Sequence, residues 1–359
     1  MDRARGGFVE ALTQDGQGVD RPRRARVVGR QIYSFHVGGT FGWLHDADRL
    51  VRHGSDALYR HLIDDDGLTV SVYAADGRVL ERGFDLYDHA FVLLALARLA
   101  ESEPAALDTA LRMIAAMERF RRPSGGWIAT AHTGGDLLAN PHMHMLESCL
   151  AFERRPDVDP IWARLSDEIV ALAMERLIDP ATGAMHEYRV ADGGLGQTPA
   201  LFTIEPGHQF EWAWLLRRWN ARAGDAAVER AAARLVAIGE AYGVDDRGIV
   251  LDGLNSDLSP AARSARLWPQ TERLKANAQA AALSSGEARR HAVERAIEAI
   301  EAIACFTAGA GRGLWFDCLD NAGHPVQAPA PASTLYHLVG AAEYCEGLAM
   351  GGYDVFDGG

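Results

Sequence analysis

Apolar positions recur along the chain at helical spacing, and the stretches that carry them alternate with short breaks marked by Gly and Asp. The pattern predicts helices at about 22–44, 47–63, 85–101, 105–121, 140–154, 159–177, 206–221, 225–242, 262–283, 286–305 and 333–348. Some starts carry their own signals. Asp85 with Asp88 reads as a capping pair, and Asn140 before Pro141 as an N-cap with proline at the first helical position. Pro206 stands in the same place ahead of Gly207 and His208. Between successive helix pairs lie brief β-prone segments, Leu68–Tyr73, Gly126–Ala129, Met185–Tyr188, Gly248–Asp252 and Leu314–Asp317. They are too short to build a sheet of their own and predict β-hairpins or extended rim loops.

The helices are of two kinds. One of each pair holds a cluster of aromatic, histidine or charged residues, beginning near Arg30, Asp85, Asn140, Glu205, Arg266 and Ser333. The other is bland, as in Ala226–Ala241 and Ala292–Ala304. The clusters return at intervals of roughly 55–65 residues, the mark of a repeated architecture. Six pairs predict a closed double ring, with inner helices turning their polar clusters toward a central cavity and outer helices covering them. No low-complexity linker divides residues 1–359, so one domain is expected.

Composition narrows the partners. The chain has 359 residues, 48% of them hydrophobic, enough for a sizeable core. A net charge of −13 without a long basic run repels phosphate backbones and anionic lipid, so neither nucleic acid nor membrane is expected. No apolar run suits a signal peptide or a bilayer span. Cys149, Cys305, Cys318 and Cys345 form no C-x-x-C pair and read as small buried hydrophobes, which fits the cytoplasm. A homodimer is left open.

The chemistry concentrates in a few places. On a helix, His208 and Glu211 share a face, and Trp212 lies one turn beyond His208. An imidazole, a carboxylate and an indole make a sugar-handling patch: the indole stacks on a pyranose, and the carboxylate binds hydroxyls or orients the imidazole. His337, near the start of the last helix, would face the cavity beside Arg30 in a closed ring. His142 and His144 project about 200° apart on a helix, so they cannot share one metal ion; His144 is the one expected to point inward. There is no H-E-x-x-H motif or Cys/His cluster, so no metal or other cofactor is expected. No Walker loop and no G-x-S-x-G elbow is present, and Gly38-Gly39 and Gly193-Gly194 read as turns.

Four clusters closely resemble the N-acylglucosamine 2-epimerase family. They are Asp85-Leu86-Tyr87-Asp88-His89, Asn140-Pro141-His142-Met143-His144, Glu205-Pro206-Gly207-His208-Gln209-Phe210-Glu211-Trp212 and Arg266-Leu267-Trp268-Pro269-Gln270-Thr271-Glu272. The resemblance runs from about Arg26 to Glu343. It implies an all-α fold, an (α/α)6 barrel with short β-hairpin rim loops. It also implies that His208 and His337 are the catalytic pair. Residues similar to Arg30, Asn140, His144 and Glu211 bind sugar hydroxyls or orient the bases in that family, Trp268 matches an aromatic lining position, and Tyr87 lies in a motif region. Gln209 departs from the family, where a second histidine is common.

These readings point to proton transfer at carbon 2 of a free sugar, for which imidazole is suited because it titrates near neutral pH. In an aldose–ketose isomerase, one base shuttles the proton between C2 and C1 of a cis-enediolate. In a 2-epimerase, the proton leaves one face of C2 and returns to the other. The shortness of the chain favours an isomerase of the mannose/fructose type, with an epimerase acting on N-acylglucosamine, glucose or cellobiose as the alternative. A glycoside hydrolase would need two carboxylates facing each other across the cavity, and a non-catalytic sugar-binding protein would not need the histidines.

Overall fold

The computed structural model describes residues 1–2, 6–130, 137–189 and 202–351. Its helices are α1 (Ala25–Thr40), α2 (Ala47–Ala57), α3 (Leu86–Leu99), α4 (Ala105–Met117), α5 (Ala139–Glu153) and α6 (Ile161–Leu172). They continue with α7 (Pro206–Ala223), α8 (Ala226–Ile238), α9 (Leu267–Leu283), α10 (Gly286–Thr307) and α11 (Leu335–Ala349). The odd-numbered helices touch in order, and α11 closes on α1. Each even-numbered helix packs on the odd one before it. The two-layered ring inferred from the clusters is therefore present as an (α/α)6 barrel. Among the described residues, α11 lacks an outer partner, so five of the six expected pairs are complete.

The division into layers follows from side-chain size and polarity. Helix α3 is buried on almost every side, from Leu86 to Leu99, as a helix enclosed by two neighbours and a cover must be. Helix α10 buries only Ala292, Ala299, Ala302 and Phe306 and shows charge elsewhere. Small residues set the closest approach. A Cβ on Gly29 would collide with the backbone carbonyl of Phe91, so glycine there lets α1 and α3 meet backbone to backbone.

The rim strands are two or three residues long. Two pairings are local hairpins, β3 (Val72–Tyr73) with β4 (Val79–Glu81) and β7 (Gly253–Leu254) with β8 (Pro260–Ala262). The others join distant segments: β2 (Arg23–Arg24) with β3, β5 (Leu137–Leu138) with β6 (Tyr188–Arg189), and β9 (Ala265–Arg266) with β10 (Cys318–Leu319). Strand β1 (Ala11–Leu12) pairs with β11 (Ala330–Pro331) and ties the first segment to the last inner helix. The rim is thus partly hairpins and partly stitches between successive pairs.

A repeated clamp explains why polar residues recur at inner-helix starts. The fourth residue of α3, α5, α7 and α9 is His89, His142, Gln209 and Gln270. Each accepts a hydrogen bond from a rim amide: Thr69 N to His89 Nε2 at 3.1 Å, Trp127 N to His142 Nε2 at 3.1 Å, Met185 N to Gln209 Oε1 at 2.8 Å, Val250 N to Gln270 Oε1 at 2.9 Å. The other ring nitrogen of His89 and His142 donates to a carbonyl one turn back, at 2.7 Å. Burial lowers both imidazoles to about 4, so they stay neutral. Buried amides left unpaired are costly, and these side chains satisfy them.

Three local expectations change. Helix α5 begins at Ala139 with Leu138 as its cap, so Asn140 sits in the first turn rather than at the N-cap. Residues 262–266 are not helical, because Ala265–Arg266 pairs with the following rim segment and α9 starts at Leu267. Gly38 and Gly39 lie within α1, not in a turn; Gly193-Gly194 lies outside the described residues. The remaining caps agree: Asp85 accepts from the amides of Tyr87 and Asp88, and Pro206 opens α7. Among the described residues no helix is long and apolar enough to cross a membrane.

Candidate active site

The first turns of the inner helices converge on a cavity of about 220 Å3 at the rim end of the ring. Its wall contains all eight residues singled out from the sequence: Arg30, Tyr87, Asn140, His144, His208, Glu211, Trp268 and His337. Four further segments of chain bring in five more, Glu205, Arg266, Asp317, Ser333 and Thr334.

The floor and the layer beneath it are built by one helical position. The sixth residue of α1, α3, α5, α7 and α9 is Arg30, Phe91, His144, Glu211 and Glu272. Phe91 is the apolar centre, with the Arg30 guanidinium 4.1 Å from its ring centroid and the His144 ring 4.5 Å away. Arg30 also donates to the Tyr87 hydroxyl at 2.6 Å. That leaves the planar cation held on its faces and edge, facing the cavity.

The two histidines stand on either side of one indole. The Trp268 ring lies 4.9 Å from His208 and 5.4 Å from His337, centroid to centroid. Gly207 makes this possible, since a Cβ there would come within 2.6 Å of the Trp268 ring. Each imidazole is backed by a glutamate. His208 Nδ1 meets Glu187 Oε2 at 2.8 Å, and His337 Nδ1 meets Glu272 Oε1 at 2.9 Å. A carboxylate only accepts, so Nδ1 carries the proton in both and Nε2 is left to the cavity.

The surroundings push the two rings in opposite directions. Burial disfavours the cationic form of His208, but the charges of Glu187 and Glu205 and the hydrogen bond to Glu187 outweigh it and raise its pKa to about 9. For His337, burial acts first and the cations Arg30 and Lys275 add to it, so its pKa falls well below the ordinary value. Near neutral pH one imidazole is an acid and the other a base. Such divergence between paired groups is how one site supplies both roles.

The floor also offers open acceptors. Both oxygens of Glu211 and Oδ1 of Asn140 are buried without a hydrogen-bond partner among the described residues. Burial and the nearby Glu272 push the Glu211 carboxyl well above the usual range, which favours the protonated form, able to donate as well as accept. His144 is held by Glu147 at 3.1 Å, and Glu147 in turn takes a short hydrogen bond from the Tyr336 hydroxyl.

Several roles read from the sequence shift. Glu211 does not orient His208; Glu187, on the rim segment after α6, does, because it approaches Nδ1 from outside the helix. Trp212 is fully buried in the core and does not reach the cavity, where Trp268 takes the aromatic position. The backing acids Glu187 and Glu272 carried no role in the sequence reading. An acidic residue within the β-prone rim segment Met185–Tyr188 was the available signal for Glu187.

Three groups of histidines and carboxylates bring ligand atoms within 4.8 Å of one another, among them Glu211, Glu272 and His337. Lys275 Nζ lies 2.6 Å from Glu272 Oε2, so the positive charge a metal would supply there already comes from the protein. In the other two groups the histidine Nδ1 faces a carboxylate of the same group, Glu147 or Glu187. The residues fit a proton network better than an ion.

Two carboxylate-backed imidazoles driven toward opposite protonation, with a guanidinium and open hydroxyl acceptors around one small cavity, can support proton transfer on a polyhydroxylated substrate. A sequence model of the N-acylglucosamine 2-epimerase (GlcNAc 2-epimerase) family matches residues 6–341. The chain belongs to that family. It is 39% identical over 349 residues to the mannose-6-phosphate isomerase of Rhizobium meliloti (strain 1021), covering 94% of this chain and 89% of that protein. Among solved structures it resembles a D-mannose isomerase, with a TM-score of 0.87, 19% identity and coverage of 96% and 93% of the two chains. It also resembles the cellobiose 2-epimerase of Bacillus thermoamylovorans B4167, with a TM-score of 0.81, 15% identity and coverage of 94% and 93%. At these identities the solved structures speak for the fold.

Proposed function

We propose that the protein is an aldose–ketose isomerase acting on a free hexose of the mannose/fructose type, with His337 as base and His208 as acid. The observation that carries this reading is the pair of glutamate-backed imidazoles flanking Trp268, whose surroundings drive them toward opposite protonation. In the open-chain aldose, His337 Nε2 takes the proton from C2 while His208 gives one to O1. His208 then recovers a proton from O2–H as His337 returns its own to C1, so nothing is gained or lost. Arg30 faces the developing enediolate oxygens, and charge held ready for a transition state is the largest catalytic contribution available to such a site. Asn140, His144, Glu211, Tyr87 and Trp268 hold the sugar.

Cavity size and charge support a free monosaccharide. The volume of about 220 Å3 lies below the ~300–1,000 Å3 of pockets for larger ligands. Of the two arginines in the wall, Arg266 is already divided between Glu205 at 2.7 Å and Asp252 at 2.9 Å. Glu205 and Asp317 would oppose a phosphate. Incubation with mannose in D2O, followed by NMR, tests the reading: fructose carrying deuterium is expected, with mannose 6-phosphate a much poorer substrate. Glucose without fructose would instead assign the alternative, a 2-epimerase, which the family also accommodates. EDTA is expected to leave turnover unchanged.

Residues 1–359 are read as one catalytic domain, since α11 closes on α1 and β11 pairs with β1. The four free cysteines support a cytoplasmic setting. A homodimer is supported by Val293, Ile297 and Ile300, exposed in a stripe on α10. Arg289 and Arg290 lie before the stripe and Glu301 after it, so two antiparallel copies would match opposite charges; sedimentation of Ile297→Arg against the parent tests this.

A further inference from the structure

The two histidine–glutamate pairs are alike in geometry, and what differs is behind the glutamate. The far oxygen of Glu187 accepts from the Glu205 backbone amide at 3.3 Å. The far oxygen of Glu272 faces the Lys275 ammonium at 2.6 Å. Lys275 is 2% exposed and sits 3.9 Å over the Trp214 ring. It does not border the sugar cavity. Instead it lines a separate small cavity of about 30 Å3, with Glu147, Tyr336 and Trp214.

We propose that Lys275, without touching substrate, decides which histidine is the base. It does so by keeping Glu272 ionised as the acceptor of the His337 Nδ1 proton. The inference rests on the reading of His337 and His208 as the proton-transfer pair. Buried among Glu147 and Glu211, Glu272 would take up a proton if no cation faced it; burial already pushes it upward and Lys275 is the leading counterweight. Lys275 itself stays charged because Glu272 and Glu147 outweigh its own burial. A protonated Glu272 would donate to Nδ1, move the ring proton to Nε2 and leave the cavity without a free lone pair. The groups facing His337 are Glu272 and Lys275 from α9, Glu211 from α7, Arg30 from α1, His144 and Glu147 from α5, and Tyr336 beside it on α11. Of these, only Lys275 meets the far oxygen of Glu272. Lys275 is therefore a positioning residue.

The test is the pH profile of kcat/KM for Lys275→Met beside Lys275→Arg. In the Met variant the acid limb moves up by a unit or more, because Glu272 must first lose its proton. The alkaline limb, set by His208, stays near about 9. Turnover near neutrality falls by about 10²-fold, the scale of a lost general base. The Arg variant keeps the parental profile. A Met variant with both limbs in place, whether active or uniformly slowed, overturns the proposal. Should Lys275→Met not fold, 15N spectra of the histidines in the parent enzyme decide: Nδ1–H with a bare Nε2 on His337 supports it, and the reverse tautomer refutes it. If the parent enzyme does not isomerise any hexose, it is the functional reading that has failed, not this one.

Discussion

Glu187 reaches His208 from outside the helix that carries it, its Oε2 2.8 Å from Nδ1 across 21 residues of chain. With His208 as the proposed acid, that contact is expected to set the alkaline edge of activity. His208 is protonated below its pKa of about 9 and neutral above it, so an acid role is present at lower pH and lost as pH rises through that value. In Glu187→Gln the leading charge that opposed burial is gone, so the pKa of His208 falls. The alkaline limb of kcat/KM is expected to move to lower pH while the acid limb holds. A limb that stays near the parental position would show that Glu187 only buttresses the fold.

The histidines themselves separate by isotope. His337→Asn is expected to lower kcat by roughly 10²–10⁴-fold, as loss of a general base does. Exchange at C2 of mannose in D2O should stop with it. His208→Asn should also slow product formation on that scale. Both variants should melt near the parent temperature, since each side chain lines an open cavity. Continued C2 exchange in His337→Asn would sink the assignment of the base.

Much of this site could be read in the chain before the fold was known, and the reason is local. Inner helices must turn a polar face to the cavity at their first turns, so Arg30, Asn140, His144, His208 and His337 stand out against Ala- and Leu-rich surroundings. What stayed hidden depends on contacts between distant segments. Glu187 lies in a rim stretch whose approach to α7 no periodicity announces. Glu272 and Lys275 look like an ordinary i,i+3 ion pair on a helix, and nothing in their spacing tells that the face is buried. Trp212 and Trp268 are equally conspicuous as letters. Only the ring places the first in the core and the second between the histidines.

Gly207 offers a way to move Trp268 without touching it. A Cβ at this position would stand 2.6 Å from the indole and 2.9 Å from Pro269 Cβ, and neither ring can bend away. Gly207→Ala is therefore expected to shift Trp268, cost about 1–3 kcal/mol of stability by overpacking, and lower kcat/KM by roughly tenfold or more through lost alignment. Combining it with Trp268→Phe should recover stability but not the full rate. If Gly207→Ala retains parental kinetics, the indole is not what spaces the two imidazoles.

Gln209, the departure from the family pattern, tests whether the rim clamp rather than catalysis governs its position. It is the fourth residue of α7, where α3 and α5 place His89 and His142 in the same task. Its Oε1 accepts from the Met185 amide at 2.8 Å, and its Nε2 donates to the Met185 and Glu205 carbonyls at 2.9 and 3.3 Å. A neutral imidazole can repeat the essential part: accept at Nε2 from the rim and donate at Nδ1 to the carbonyl one turn back. Gln209→His should therefore keep both stability and rate close to parental. Gln209→Ala leaves a buried amide unpaired, at a cost of about 1–3 kcal/mol, and loosens the segment that carries Glu187. It should lower the melting temperature and, through Glu187, draw the alkaline limb of activity downward. A rate loss in Gln209→His with unchanged stability would mean instead that the side chain acts on the substrate, and the clamp would not account for its place in the ring.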